Sequence, residues 1–376
     1  MKILYIAGGS RATVFSLAPL ARAARDEGHE VFMSAPEASL PLVAGAGLPA
    51  YAYTERAIRD FVGKDRAGNP LEFQTDPDKQ RLALGAGYAR MAAASLEPLL
   101  ALSRDWRPDV VVGGQLCYAA MLLGRELGVP AVRQAWDRYA TTLPDAGANA
   151  ELAPELDQLG VNSLPDPDLF IDICPPSLRL LEPSVPVQMM RSAPANPQRP
   201  LEPWMYRRVG RRVLVTAGSQ TAKGQAGGLH RLAEYASRLD AELVIAAPDE
   251  VAGELREKFP RARVGWFPMD VLSRTCDLII HHGGGVTGMT AINAGVPQLI
   301  VPAGAMFHAS SQRLAEYGAA AMFLPDEVTA EGVLVAGTEL MSNPAYRQKA
   351  HELSREVAGL PTPSEVVGVL EHLAAR

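Results

Sequence analysis

Asp277-Leu278-Ile279-Ile280-His281-His282-Gly283-Gly284-Gly285-Val286-Thr287 decides how this chain folds. An apolar run ends in two histidines, three glycines and a threonine, and a helix-compatible segment from Met289 to Asn293 is closed by Gly295-Val296-Pro297. The pattern predicts strand, tight turn, helix. The turn then lies at the carboxyl end of a buried parallel strand, where open α/β sheets bind ligands. Gly283, Gly284 and Gly285 carry no side chains, so an anion can approach the backbone N–H groups and the helix N-terminus. His282 and Thr287 add side-chain donors beside those amides. This is a diphosphate cradle without a P-loop lysine. Three glycines in a row also make a plain flexible turn, but the flanking His and Thr favour the phosphate reading.

Working outward, the same alternation recurs. Arg212 to Ala217, Glu242 to Ala246 and Gln298 to Val301 read as strands, Val264 to Met269 as a strand ending in an aromatic turn, and Leu229 to Leu239 as a helix. Gly218-Ser219-Gln220 is the turn after the first of these strands. In the first half Ile3 to Ala7, Glu30 to Ser34, Asp109 to Gly113, Ala131 to Arg133 and Leu169 to Ile173 read as strands, with helices over Phe15 to Glu27 and Tyr118 to Leu127 and a short one near Pro154 to Leu159. The stretch 149–200 is rich in proline, and Arg199-Pro200-Leu201-Glu202-Pro203-Trp204 reads as a semi-rigid linker. The expectation is an α/β chain of two doubly wound domains, with a cleft between two sets of strand carboxyl ends. The tail from Pro361 to Leu373 reads as an amphipathic helix capped by Ser364.

The length of 376 residues fits two domains, each with its own core. Thirty-six basic residues stand against 42 acidic ones, a net charge of -6, so neither nucleic acid nor an anionic membrane is an expected partner. Arg207, Arg208, Arg211 and Arg212 form the densest basic cluster and read as a solvated face. Met1 to Ala7 is too short and too strand-like for a signal peptide, and no apolar run reaches membrane-spanning length. Cys117, Cys174 and Cys276 are scattered, without zinc spacing, and read as buried thiols in a reducing cytoplasm.

Candidate site residues follow the strand ends. The first turn, Gly8-Gly9-Ser10-Arg11-Ala12-Thr13, lacks G-x-G-x-x-G, so no NAD site is read there. Ser10 and Thr13 face the cleft, or Ser10 is simply a helix N-cap. From Ala50 to Met91 the periodicity breaks down into loop chemistry carrying Ile58, Phe61, Phe73 and Tyr88, the pattern of a binding loop or of a surface excursion. Trp136-Asp137 follows a strand. A carboxylate there serves as general base if burial raises its pKa, or as an N-cap or a partner for Arg133 or Arg138.

Read together, these motifs resemble the nucleotide-sugar glycosyltransferases of the GT-B fold, family one. The bacterial natural-product branch carries H-H-G-G-A-G-T where this chain has His281 to Thr287, with Gly285-Val286 in place of Ala-Gly. The resemblance implies that His282 and Thr287 hold the diphosphate and that Gly218 and Ser219 form a second phosphate turn. Trp266-Phe267-Pro268-Met269 is similar to the W-x-P-Q segment that packs the base, with Met269 departing from Gln. The usual first-turn histidine is absent. Gly8-Gly9-Ser10, Asp172 to Ser177 and Leu201 to Tyr206 look most like the urdamycin and landomycin olivosyltransferases, in which an aspartate after the R-Q-x-W run acts as base, here Asp137. Met306-Phe307 stand where the family has an Asp-Gln pair for sugar hydroxyls, which favours a deoxysugar.

The resemblance assigns 1–200 as an acceptor-binding Rossmann-like domain and 201–211 as a linker. It assigns 212–360 as the nucleotide-sugar domain and 361–376 as a helix packing back on the first domain. Ser10, Thr13, Ile58, Phe61, Phe73, Tyr88 and Trp136 would line the acceptor side. Gly218, Ser219, Trp266, Phe267, His282, Gly283, Gly284, Gly285, Val286, Thr287, Met306 and Phe307 would hold the donor. The implied enzyme is an inverting transferase moving a deoxysugar such as D-olivose from dTDP to an aromatic polyketide of the angucycline type, as an O- or C-glycoside. It would need neither metal nor cofactor. A nucleotide-sugar epimerase and a non-catalytic auxiliary GT-B protein are the alternatives, and a nicotinamide dehydrogenase fits least. Monomer and homodimer both stay open.

Overall fold

The computed structural model describes residues 1–138, 141–218 and 226–376. They form two compact units. The first comprises Met1–Cys174, Leu181–Arg191 and Leu360–Arg376; the second comprises Pro175–Leu180 and Ser192–Gly359.

The first unit is built on seven strands: β1 (Lys2–Ile6), β2 (Glu30–Pro36), β3 (Ala50–Thr54), β4 (Val110–Gly114), β5 (Ala131–Gln134), β6 (Leu169–Asp172) and β7 (Val187–Met189). Their order is β3-β2-β1-β4-β5-β6-β7, and every pairing is parallel. β4 is buried along its whole length, as expected of a strand covered by helices on both faces. The second unit has β8 (Arg212–Thr216), β9 (Glu242–Ala246), β10 (Arg263–Gly265), β11 (Leu278–His281), β12 (Gln298–Ile300) and β13 (Ala320–Met322), again all parallel, in the order β10-β9-β8-β11-β12-β13. In each sheet the strand order reverses once, between β1 and β4 and between β8 and β11. Each of those points opens a crevice at the strand carboxyl ends of its own sheet.

Several expectations need correction. The break in periodicity read from Ala50 to Met91 is irregular only over part of its length. Ile58–Val62 is a helix, and Pro77–Asp105 is a single long one, started by Asp76, whose side chain accepts from the Asp78 and Lys79 amides. Its Gly85 and Gly87 look like breakers but are contact points. A Cβ built on Gly85 would fall 1.8 Å from the Pro144 carbonyl oxygen, and one on Gly87 would fall 2.8 Å from Val62. The partner helix Thr142–Glu151, unread in the sequence, touches back through Gly147, whose Cβ would fall 2.1 Å from the Leu82 carbonyl oxygen.

The stretch 201–211, read as linker, belongs to the second unit. Pro203–Tyr206 is a helical turn with Met205 buried, and Trp204 meets Phe267 edge-on at 5.2 Å. Arg212, read as part of a solvated basic face, is buried and paired with Glu242 at 2.7 Å.

The C-terminal helix is Pro363–Ala374. Its cap is Thr362, in a capping box with Glu365, rather than Ser364, which lies one residue inside the helix. It packs Val366, Val367 and Leu370 into the first unit beside the helix Arg11–Asp26, and Glu371 reaches His29 at 3.0 Å. Among the described residues no helix is long and apolar enough to cross a membrane.

Candidate functional site

In the second unit β8 and β11 end side by side where the strand order reverses. β8 runs into Ala217 and Gly218, whose φ of +63° suits a residue without a Cβ. β11 ends at His281, and the chain turns through His282 and Gly283 (φ +84°) into the helix Gly285–Ala294.

The two histidines divide the work. His281 is fully buried. Its Nδ1 accepts the Gly283 amide N–H at 3.1 Å, which places the ring proton on Nε2, 2.8 Å from Gln298 Oε1. His281 and Gln298 thus fasten the turn. The sequence reading gave neither a role, although a histidine at the last position of a buried strand is the signal that finds such a fastener.

The His282 ring sits between two glycines. A Cβ on Gly218 would lie 2.8 Å from its Cε1, and one on Gly284 would lie 2.4 Å from its Nε2. Phe307 closes a third side, with ring centroids 6.4 Å apart and planes at 84°. Burial pushes the His282 pKa down to about 4, against the opposing pull of the Thr216 carbonyl. The ring is therefore neutral near pH 7 and carries one N–H to donate. Beside it, the helix Gly285–Ala294 has no side-chain cap, and the Gly288 amide closes the first turn on the Gly284 carbonyl at 2.9 Å. The amides of Gly285, Val286 and Thr287 are left without intrahelical acceptors, which makes this end attractive to an anion.

Only some of the other donor-side candidates fall at this turn. Phe307 and Met306, both half-buried, lie on the short 3₁₀ turn Ala305–Phe307 after β12. A Cβ on Gly283 would meet Phe307 at 3.1 Å. Trp266 is half-buried at the same carboxyl edge, after β10, while the Phe267 ring is buried in the core against Leu214, Val244 and Ile279. Val286 and Thr287 are half-buried in the first helical turn. Ser219 lies outside the described residues.

In the first unit, a cluster forms at the carboxyl ends of β1, β4 and β5. Trp136 fits over Gly114, where a Cβ would fall 2.7 Å from the indole, and its ring lies 6.0 Å from that of Tyr88. Tyr88 in turn covers Gly8, and Ile58 covers Gly9. Ser10 and Thr13 are occupied by the helix cap: each side chain takes the other's backbone N–H, and the Thr13 hydroxyl donates to the Gly8 carbonyl at 2.6 Å. Thr13 is buried, so it shapes the first turn instead of facing a ligand. Phe61, read as lining, is a core residue, 1 % exposed, under Arg56. Phe73 is the opposite, 85 % exposed on a stretch pinned at Arg66 by Glu151 and Glu155 at 2.7 Å each.

Asp137 is 4 % exposed, and its Oδ1 accepts the Arg138 backbone N–H at 2.6 Å. The next helix, Thr142–Glu151, begins from Thr141, so Asp137 does not cap it. Among the described residues no group of three or more His, Cys, Asp or Glu is arranged to hold a metal ion.

Residues 22–218 match the N-terminal domain, and residues 230–373 the C-terminal domain, of the erythromycin biosynthesis protein CIII-like family. The elloramycin glycosyltransferase ElmGT of Streptomyces olivaceus is 30% identical over 98% of this chain and 97% of its own. Among solved structures, the glycosyltransferase SsfS6 of Streptomyces sp. SF2575, complexed with thymidine diphosphate, is 32% identical with a TM-score of 0.87, covering 99% of both chains. The spinosyn rhamnosyltransferase SpnG, complexed with spinosyn aglycone, is 26% identical with a TM-score of 0.87, covering 99% of this chain and 100% of its own. The architecture, two Rossmann-like parallel-sheet domains, is that of the GT-B glycosyltransferases.

Proposed function

This chain belongs to the erythromycin biosynthesis protein CIII-like family and is a glycosyltransferase, and from that premise we propose an inverting transfer of a deoxysugar, D-olivose, from dTDP to an aromatic polyketide of the angucycline type. The observation that carries this reading is the seat of His282. A neutral imidazole is wedged between Gly218 and Gly284 beside an uncapped helix N-terminus. As the bond between the sugar C1 and the diphosphate oxygen breaks, charge develops on the leaving diphosphate. The amides of Gly285 to Thr287 are preorganised to receive it, the His282 N–H joins them by leaving the Thr216 carbonyl, and the step asks for no metal. Asp137 takes the proton released when the acceptor oxygen, or a ring carbon, bonds to C1 from the opposite face.

Trp266 gives the base a wall. Met306 and Phe307 offer a thioether and a phenyl ring, which cover the carbon and methyl surface of a dideoxy sugar. A hydroxyl facing them would lose its partner, at about 1–3 kcal/mol. Phe73, Ile58, Tyr88 and Trp136 give the first unit an apolar face for a flat aromatic acceptor. The thymidine diphosphate bound to SsfS6 and the aglycone bound to SpnG support the two ligand classes. The three thiols, all buried and outside any disulfide, fit a reducing cytoplasm.

The test is incubation with dTDP-olivose and an angucycline aglycone, with His282→Ala as comparison. Wild type should release one dTDP per glycoside, read by product mass. The variant should bind dTDP about 10- to 100-fold more weakly, since a hydrogen bond to a charged group contributes roughly 1.5–3 kcal/mol. An unchanged dTDP dissociation constant in the variant would remove the cradle, and wild type that yields no glycoside would remove the acceptor and sugar assignment.

A further inference from the structure

Asp137 hangs from a segment whose two ends are tied together. One tie point is Arg133, in β5, and the other is Asp145, in the first turn of the helix Thr142–Glu151, twelve positions later. The Arg133 guanidinium donates to both Asp145 oxygens, at 2.9 Å to Oδ2 and 2.6 Å to Oδ1. Two further hydroxyls converge on the same carboxylate. Thr141 donates to Oδ2 at 2.8 Å and Tyr118 to Oδ1 at 3.0 Å. Arg133 Nε donates to the Gln115 carbonyl at 2.6 Å, while the Trp136 amide donates back to Gln115 Oε1 at 3.3 Å. Three elements thus meet at one carboxylate: the end of β5, the turn after β4, and the helix start. The two side chains are only 15% and 27% exposed, so solvent and salt screen this pair less than a surface pair.

We propose that Asp145 is a positioning residue for the transfer step. With Arg133 it forms a clamp that fixes the segment carrying Trp136 and Asp137 at the strand ends, so that the Asp137 carboxylate is presented to the acceptor in one place. This rests on the reading of Asp137 as the base. The bidentate fork matters because it sets both distance and plane, which a single hydrogen bond does not. Small errors in the placement of a reacting group are costly, on the order of 10²-fold for about 1 Å.

The experiment compares Asp145→Asn and Asp137→Asn with wild type. Asp145→Asn keeps the size, but its single oxygen can accept from only one of Tyr118 and Thr141 at their present positions, and it loses the ion pair. Turnover and dTDP affinity are measured over a series of acceptors whose hydroxyl pKa falls stepwise. Asp145→Asn should lose about 10- to 100-fold in kcat with dTDP affinity within twofold, and its deficit should shrink as the acceptor grows more acidic, in parallel with Asp137→Asn. A merely structural defect would slow all acceptors alike. If Asp137→Asn is slow and Asp145→Asn is not, or is slow equally for every acceptor, the clamp is overturned and the base assignment stands. If Asp137→Asn is as fast as wild type, the base assignment and the clamp fall together, whatever Asp145→Asn does.

Discussion

His282 is defined by what its neighbours lack. Its ring fills the space that a Cβ on Gly218 or Gly284 would take, and that packing leaves the residue half-buried with the ring largely desolvated. The consequence is measurable as a pH effect. The folded-state pKa is about 4, against 6.5 for the free side chain. Between those values the unfolded chain binds the extra proton and the folded chain does not. The stability conferred is therefore fully present above about pH 6.5 and is lost as pH falls toward 4. His282→Gln should flatten this part of the curve: the fall in Tm from pH 7.5 to pH 5 should be smaller in the variant than in wild type. An identical fall in both would mean that His282 titrates normally in the fold. The sequence marked His282 through the glycines that follow it. It marked Gly218 as a turn of its own but could not set it against His282, because Gly218 lies far away in the chain and meets the ring only where β8 and β11 are neighbours. For the same reason Asp145 passed unread, since an aspartate in a helical first turn looks like any other until Arg133, Tyr118 and Thr141 are seen around it.

At the level of elements, glycine carried two opposite meanings. In the turns after β8 and β11 it allows positive φ and open amides. In the helices Pro77–Asp105 and Thr142–Glu151 it allows two backbones to touch. Periodicity cannot separate these uses, because a glycine next to a proline-bearing stretch reads as a breaker in either case. The contact can be tested. Gly85→Ala places a methyl group 1.8 Å from a backbone oxygen that cannot rotate away, so the helices must part. Its cost should reach about 1–3 kcal/mol or more, a loss of several degrees in Tm. Gly253→Ala, in the helix Asp249–Lys258 with nothing within 4 Å of the added atom, is the control and should be neutral or stabilising by roughly 0.5–1 kcal/mol. Equal Tm values for the two variants would show that the close helix approach is absent in solution.

At the scale of the whole molecule, the chain makes two units, and the first is completed by the last residues of the sequence. Val366, Val367 and Leu370 are buried there, and each contributes about 1.5–3 kcal/mol when covered. Deleting 361–376 should therefore destabilise the first unit selectively. Calorimetry should show one transition lowered, hydrogen exchange should rise in β1 and the helix Arg11–Asp26, and dTDP affinity should stay within about twofold; a uniform loss across both units would contradict this division. The sequence by itself determined the doubly wound pattern, the strand runs and the glycine turn, because each is written in neighbouring residues: apolar runs of strand length, then small residues where a ligand must approach the backbone. Tertiary structure alone decided which residues from distant positions meet. It set Gly218 against His282, Gln298 against His281, Asp145 against Arg133, and the C-terminal helix against the first helix. Those pairings follow from strand order and helix packing, which depend on burying whole faces together and leave no local mark in the chain.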